Sequence, residues 1–321
     1  MTPRPVSIVG AGLAGALLAL FLARRGFAVA LYEKRPDPRQ AQPDAGRSIN
    51  LALAARGIRA LERAGVMERV RPFALPMRSR CIHERSGETQ MQPYGQRPHE
   101  INYSVGRAAL NRVLIEETAR HANVALRFEQ SCIAARPASG TLRLRDARSG
   151  DGYDAVLSPT VAADGAGSAM RRSLENAGHL TVREALLDHD YKELTIPAID
   201  GVHALDPEAL HIWPRGGYML IALPNPDASF TATLFLPKRG SVSFETLHDA
   251  AAARRFFERE FPDAIALMPA FAAEFAAHPQ GELGTIYASS WHVRGEVLLL
   301  GDAAHAIVPF HGQGMNAAFE D

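Results

Sequence analysis

Residues 6–33 read VSIVGAGLAGALLALFLARRGFAVALYE. Val6 to Val9 is a short apolar run, Ala11 to Arg25 repeats apolar residues at helical spacing, and Ala28 to Tyr32 is apolar again. The pattern predicts strand, helix and strand, a βαβ unit. Between the first strand and the helix lies GAGLAG, residues 10–15. Gly10 permits the tight turn, Gly12 lets the backbone approach a pyrophosphate, and Gly15 lets helix and strand pack closely. The helix N-terminus then faces the phosphates. Glu33 ends the second strand, where a carboxylate accepts the two hydroxyls of an adenosine ribose, which implies an unphosphorylated ribose. Taken alone, this fingerprint does not separate NAD from FAD.

Two further strings do. Thr160 to Ala163 leads into DGAGS, residues 164–168, and an apolar strand over Glu296 to Leu300 leads into GDAAH, residues 301–305. In isolation the first is an ordinary Asp-Gly turn and the second an aspartate capping a helix. Capping and ligand binding are compatible, because an Asp at a strand-to-helix junction holds the helix end and still reaches a ribityl hydroxyl. All three strings in this order point to a flavin dinucleotide. The three motifs resemble those of the single-component flavoprotein hydroxylases related to p-hydroxybenzoate hydroxylase. That resemblance implies nucleotide contacts from Asp164 and Arg171, and a ribityl contact from Asp302. Downstream, GQGMN opens a helix, where backbone N–H groups of Gly312, Gly314, Met315 and Asn316 are placed to stabilise charge on the reduced flavin ring.

The rest of the chain is consistent with an α/β protein carrying a second sheet. Arg107 to His121 predicts a helix and Val124 to Phe128 a strand. Met77 to His83 and Thr89 to Tyr94 flank Ser86-Gly87 and predict a hairpin inserted into the nucleotide-binding fold. HIWPR, YMLIALP and SFTATLFLP, between Leu210 and Pro237, predict a separate, mostly antiparallel sheet. Helical patterns follow at Phe244 to Phe261 and Asp263 to Ala277. The expected division is an FAD-binding domain of residues 1–75, 105–180 and 285–321, interleaved with a substrate domain of residues 76–104 and 181–284.

Composition narrows the partners. The 321 residues include 47% hydrophobic ones and carry no net charge, and no basic run interleaves with aromatics, which disfavours nucleic acid. Cys81 and Cys132 are far apart and lack CxxC spacing, which argues against a disulfide framework or a zinc site. No segment has the roughly 20 continuous apolar residues of a spanning helix, and the N-terminus lacks the layout of a signal peptide. A cytoplasmic protein acting on small molecules is expected. The final GQGMNAAFED reads as the opening of a helix, which predicts a C-terminally truncated chain.

Several longer strings resemble one family, the kynurenine 3-monooxygenases. They are GRSINLAL at 46–53, PMRSRCIH at 76–83, PYG at 93–95, DHDYKEL at 188–194, LHIWPR at 210–215 and VPFHGQGMNAAFED at 308–321. The resemblance implies that NADPH reduces FAD and that a flavin C4a-hydroperoxide hydroxylates L-kynurenine to 3-hydroxykynurenine, a step of tryptophan degradation. It implies that Arg80 and Tyr94 on the hairpin hold the substrate carboxylate, with Arg78 two residues away as the competing assignment. Leu210, Ile221, Phe235 and Phe310 match apolar positions around the aromatic ring; ordinary core packing is the alternative. Arg107 becomes a cofactor contact, and Leu13, Ala14, Lys34, Arg35 and Ala52 join Gly10, Gly12, Gly15 and Glu33 in the cofactor set. His311 departs from a position often aromatic in relatives and is read as hydrogen-bonded, not catalytic. No acid–base residue and no metal ligand is expected. Two alternatives stand beside this reading: a hydroxylase of another aromatic acid, and a flavin-binding fragment without turnover.

Overall fold

A computed structural model describes residues 4–40 and 50–321; the GRSI portion of GRSINLAL lies outside the described residues. The opening βαβ unit forms as expected, with strands Val6–Val9 and Val29–Tyr32 around the helix Leu13–Arg24. They belong to a six-stranded sheet built by adding Val124–Arg127 beyond Val29–Tyr32, and Thr160–Ala162, Val297–Leu299 and His292–Val293 on the other side. All neighbours in it pair parallel except the last. A parallel sheet is buried on both faces, and two separate cores cover this one. On one face, Ile8, Val29 and Leu31 pack with Leu17 and Leu20 of the first helix and with Leu110 and Leu114 of the helix Arg107–Ala119. On the other, Val9, Ala30 and Tyr32 meet Leu142 and Leu144 of an antiparallel meander over residues 130–156, together with Met170 and Leu174 of the helix Ala169–Asn176.

The second large sheet has seven strands, in the spatial order Gln280–Ala288, Val182–Ile196, Phe230–Pro237, Met219–Pro224, Ala209–Pro214, Ser79–His83, Thr89–Pro93. The expected hairpin exists, with Arg80 opposite Gln92 and Cys81 opposite Met91. Its strands, however, do not lie in the nucleotide-binding sheet. Ser79–His83 pairs parallel to Ala209–Pro214, so the hairpin is an insertion in sequence but an edge of the seven-stranded sheet in space. Alternation along these strands sorts the side chains. One face, with Trp213, Leu220, Leu234 and Leu236, is sealed by Phe256, Phe257, Phe261, Phe271 and Phe275. The opposite face carries Arg80, Leu210, Ile221 and Phe235, as the strand registers require.

The two expected helices after this sheet are each broken. Asp249 caps Ala250–Glu260 through Ala252 N, separating it from a short 3-10 turn at Phe244–Thr246. Pro262–Ile265 and Phe271–Ala277 are likewise distinct, with Pro269 between them denying a continuous ladder its N–H. A small antiparallel sheet of Asn50–Leu53, Asn102–Gly106 and Leu75–Met77 lies beside the nucleotide-binding body. It meets the seven-stranded sheet through a polar clasp, in which Asn50 Nδ2 donates to Pro224 O and Asn225 Oδ1, and Ser104 Oγ donates to Pro224 O at 2.8 Å. No helix among the described residues is long and apolar enough to cross a membrane.

Candidate active site

The strands ending at Val9, Ala162 and Leu299 are neighbours in one parallel sheet, so GAGLAG, DGAGS and GDAAH, which follow them, leave the same edge. Ligands of open α/β sheets sit at this carboxyl edge. The approach of the first two motifs is close. Gly10 has φ of +98°, and a Cβ there would lie 2.4 Å from Ala163 O, while one on Gly15 would lie 1.9 Å from Gly10 O. These two glycines are required by the fold itself. Gly12 is different, because a Cβ there would meet nothing within 4 Å. The helix Leu13–Arg24 that it caps has no acidic residue in its first turn and no side-chain cap. Its free N–H groups and positive end therefore face an open space suited to a pyrophosphate.

Glu33 accepts from Ala11 N at 2.8 Å and Arg35 N at 2.9 Å, which orients the carboxylate at the end of its strand. Lys34 and Arg35 are exposed beside it. Asn111, on the Arg107 helix, donates to Ala11 O at 2.9 Å and so fixes the glycine loop from below. The sequence contained no local signal for this contact, which joins positions 100 residues apart. Arg107 itself is exposed at the start of its helix.

Asp164 uses one oxygen as a cap, with Oδ2 accepting from Ala169 N and Met170 N at 2.9 and 3.2 Å. Its Oδ1 is buried and has no hydrogen-bond partner. A buried carboxylate oxygen without a donor is costly, and a ribose or pyrophosphate-side hydroxyl supplied by a ligand would satisfy it. This orphaned atom and the open cradle at Gly12 are what a bound dinucleotide would complete, so the residues present fit FAD. Arg171 lies behind the motifs, 1% exposed, donating to Ala166 O and to Ala303 O, the latter at 3.0 Å. It ties the DGAGS loop to the GDAAH helix. Burial lowers its pKa from the usual arginine range, opposed by Glu184 and Asp164.

Asp302 is exposed at this edge, 3.9 Å from where a Cβ of Gly314 would stand, so GDAAH and GQGMN lie side by side. Asn316, fully buried, spends its side chain on backbone: Oδ1 accepts from Ala54 N, and Nδ2 donates to Ala52 O and Gly312 O. What this residue offers a ligand is its main-chain N–H. The first N–H to bond back in this helix is that of Ala317, to Gln313 O, which leaves the turn containing Gly314, Met315 and Asn316 to donate outward. Ala14 and Ala318 close around Gly301, and Leu13 is buried beneath. His311 is exposed, and its carbonyl accepts from Gln313 Nε2.

Facing this edge is the open side of the seven-stranded sheet. Arg80 and Leu210 stand side by side, Ile221 is one strand further and one step along, and Phe235 is a further strand and step along. The four make a diagonal band. Its far end meets Phe310 from the loop before GQGMN, with ring centroids 5.4 Å apart and nearly perpendicular. At its near end the Arg80 guanidinium lies over the Tyr94 ring, 4.4 Å from the centroid. Burial raises the Tyr94 pKa, with a hydrogen bond to Asn102 and the charge of Arg80 opposing. The competing Arg78 falls outside the regular strand, is exposed, and pairs with Glu208 at 3.2 Å.

Behind the same strands, on the sealed face, sequence reasoning missed a buried chain of bonds. His83 Nδ1 lies 3.0 Å from Asp263 Oδ2, His83 Nε2 lies 2.8 Å from His211 Nδ1, and His211 Nε2 lies 2.9 Å from Asp206 O. A carbonyl can only accept, so His211 donates at Nε2, and as a neutral ring it then accepts at Nδ1. Burial pushes the His211 pKa down to about 4. Burial opposes ionisation of Asp263, but hydrogen bonds from His83 and Trp213 outweigh it and hold its carboxyl down to about 2. Cys81, His83 and His211 also bring potential ligand atoms within 4.8 Å of one another, although cysteine spacing gave no hint of a cluster. The imidazole nitrogens there are already committed to hydrogen bonds.

The comparisons with known proteins accord with this geometry. The FAD binding domain family matches residues 4–321. The kynurenine 3-monooxygenase of Stenotrophomonas maltophilia (strain K279a) is 48% identical over 319 residues, spanning 99% of this chain and 70% of that protein. The one from Xanthomonas campestris pv. campestris (strain 8004) is 47% identical over all 321 residues, again 70% of its length. Among solved structures, 2-methyl-3-hydroxypyridine-5-carboxylic acid oxygenase superposes with a TM-score of 0.75 at 21% identity, over 99% of this chain and 80% of the other. PqsL of P. aeruginosa, in complex with 2-aminobenzoylacetate, gives 0.76 at 22% identity, over 98% and 83%. At such identities these two show the fold, a nucleotide-binding parallel sheet joined to an antiparallel one. The sequence relatives show more: the chain belongs to the kynurenine 3-monooxygenase family of FAD-dependent aromatic hydroxylases.

Proposed function

We propose that the protein hydroxylates L-kynurenine to 3-hydroxykynurenine, with FAD as resident cofactor, NADPH as reductant and O2 as oxidant. One oxygen atom enters the ring and the other leaves as water, with NADPH supplying the two electrons. The observation that carries the reading is the diagonal band, which places a cationic anchor at one end and two crossed aromatic rings beside the cofactor edge at the other.

Bound FAD supplies the electron-carrying and oxygen-activating chemistry. Gly12 with the N–H groups of Leu13 and Ala14 would cradle its pyrophosphate, on a loop that Gly10 and Gly15 let pack closely, and Glu33, Lys34 and Arg35 would hold the adenosine end. Asp164 and Asp302 would accept hydrogen bonds from its hydroxyls. Ala52 and Arg107 would contact the cofactor, and Arg171 positions the two aspartate loops through backbone bonds. The N–H groups of Gly314, Met315 and Asn316 would hold negative charge on the ring, whereas that of Gly312, expected to join them, is spent on Pro309 O at 2.8 Å, which leaves Gly312 to shape the turn. Arg80 binds the substrate carboxylate as a charge-assisted pair, with Tyr94 fixing its guanidinium from below. Leu210, Ile221, Phe235 and Phe310 orient the aromatic ring and exclude water. An aniline ring is already electron-rich, so these residues need supply no strong base.

We also assign residues 76–104 and 181–284 to a substrate domain and the rest to the FAD-binding domain. Six of the seven strands of the second sheet fall within 76–104 and 181–284, which supports this division, and the seventh, Gln280–Ala288, crosses its boundary at 284. The two free cysteines, Cys81 and Cys132, accord with a cytoplasmic setting.

The test is to supply the protein with FAD, NADPH, O2 and L-kynurenine and to identify the product by mass. A gain of one oxygen atom in the aromatic ring is expected. Turnover of other aromatic acids with kynurenine inert would move the protein to a different substrate.

A further inference from the structure

The open face of the seven-stranded sheet carries more than the apolar band. The same registers place Thr231, Thr233, Thr195, Glu193 and Tyr191 on it. Most of these are committed elsewhere. Thr231 Oγ1 receives a bond from Asn225 Nδ2, and Glu193 has a partner of its own. Tyr191 leans toward the outer strand, where a Cβ on Gly281 would lie 2.3 Å from its ring and 2.7 Å from its hydroxyl. Thr195 lies on the far strand, beyond Thr231 and away from the band. Thr233 remains. It sits directly opposite Ile221, two residues before Phe235 on the same strand and therefore on the same face. It is half-buried, and its hydroxyl has no hydrogen-bond partner among the described residues.

Its place along the band matters. With strands about 4.8 Å apart and two residues rising about 6.7 Å, Thr233 stands roughly 16 Å from Arg80 across the sheet. An arginine side chain and an extended aryl-ketone amino acid together fill such a span. The carboxylate then sits at Arg80, and the ring lies between Ile221, Thr233 and Phe235.

A kynurenine ring brings one particular demand to that position. Of the two N–H groups on its ortho-amino substituent, one is tied internally to the neighbouring ketone. The other points outward, toward the ring carbon that is hydroxylated. In an apolar pocket this N–H costs free energy unless an acceptor meets it. We infer that the Thr233 hydroxyl is that acceptor, a specificity-determining contact that reads the ring amino group and sets the rotation of the ring about its ketone bond. The inference rests on the kynurenine reading above.

The experiment compares the holoenzyme with Thr233→Val, which keeps the shape and removes the hydroxyl, and with Thr233→Ser, which restores it. Each is assayed with kynurenine and with its analogue lacking the ring amino group, by equilibrium binding read from flavin absorbance and by kcat/KM. Thr233→Val is expected to lose about tenfold in kcat/KM and affinity for kynurenine, the size of one net hydrogen bond plus part of the desolvation it offsets. The same change should move the desamino analogue less than twofold, and Thr233→Ser should recover most of the kynurenine loss. Equal losses for both ligands, or none for kynurenine, would overturn the inference while leaving the substrate assignment intact. Kynurenine neither bound nor oxidised by the unsubstituted holoenzyme would overturn both.

Discussion

At the scale of single residues, Arg80 and Arg78 show how position within a strand decides the use of a charge. They are two apart, and a regular strand would turn both to one face. The strand begins only at Ser79, and Arg78 N binds Glu208 O while its side chain pairs with the Glu208 carboxylate in solvent. Such an exposed pair contributes little. Arg80 is held instead against Tyr94, on the open face of the sheet beside Leu210. Arg80→Ala should therefore weaken kynurenine binding by about 2 to 5 kcal/mol, the scale of breaking a buried charged contact. Arg78→Ala should change it by less than about 0.5 kcal/mol. Titration of kynurenine against flavin absorbance checks both, and an equal effect of the two substitutions would reject the assignment.

The glycines permit a second comparison at this scale. Gly10 combines a positive φ with backbone only 2.4 Å from its missing Cβ, whereas Gly12 has room for one. Gly10→Ala should cost the folded apoprotein at least about 2 kcal/mol. Gly12→Ala should leave its urea midpoint in place yet weaken FAD binding, because a methyl group would intrude only where the pyrophosphate is expected. If Gly12→Ala retained full FAD affinity, the cradle would have to be sought elsewhere.

At the scale of elements, the strands Ser79–His83 and Ala209–Pro214 are coupled to the helical layer by the chain Asp263–His83–His211–Asp206. His211 has a folded pKa depressed by burial to about 4, below its unfolded value near 6.5. As pH falls through that window, the unfolded chain takes up a proton that the folded chain resists. Stability is thus fully present above about pH 6.5 and is lost toward pH 4, by roughly 3 kcal/mol. His211→Asn removes the titrating group, so its urea midpoint should vary less between pH 7 and 4.5 than that of the unsubstituted protein. Parallel curves for the two proteins would place the acid sensitivity in other groups.

This network was illegible in the sequence for a physical reason. His83 meets residues 128 and 180 positions away, and nothing local marks the contact. The long strand Val182–Ile196 was hidden differently: its charged residues, such as Arg183, Glu184 and Asp188, break the apolar alternation that betrays a strand. By contrast the βαβ unit, the hairpin and the strands from 209 to 237 were readable, because glycine turns and apolar periods are local. The diagonal order of Arg80, Leu210, Ile221 and Phe235 follows from strand register, which the motifs alone do not contain.

At the scale of the whole molecule, the two large sheets form a working unit only if cofactor binding at one is felt at the other. Among the links that join them are the clasp of Asn50 and Ser104 on Pro224 and Asn225, the small three-stranded sheet whose Leu75–Met77 strand leads into the hairpin, the Phe235–Phe310 contact, and the bond from Ile286 N to Ala306 O. Trp213 is fully buried in the core of the seven-stranded sheet and reports on it, while Trp291, the second tryptophan, is exposed and is replaced in a Trp291→Phe background. A ligand that binds only the folded state stabilises it by about 2.7 kcal/mol at 100 times its Kd. If the links make one cooperative unit, FAD at that excess should raise the unfolding midpoint of Trp213 fluorescence together with that of the helical circular dichroism. A Trp213 transition indifferent to FAD, with the rest of the chain stabilised, would mean that the sheets unfold separately and that the substrate face is organised without the flavin.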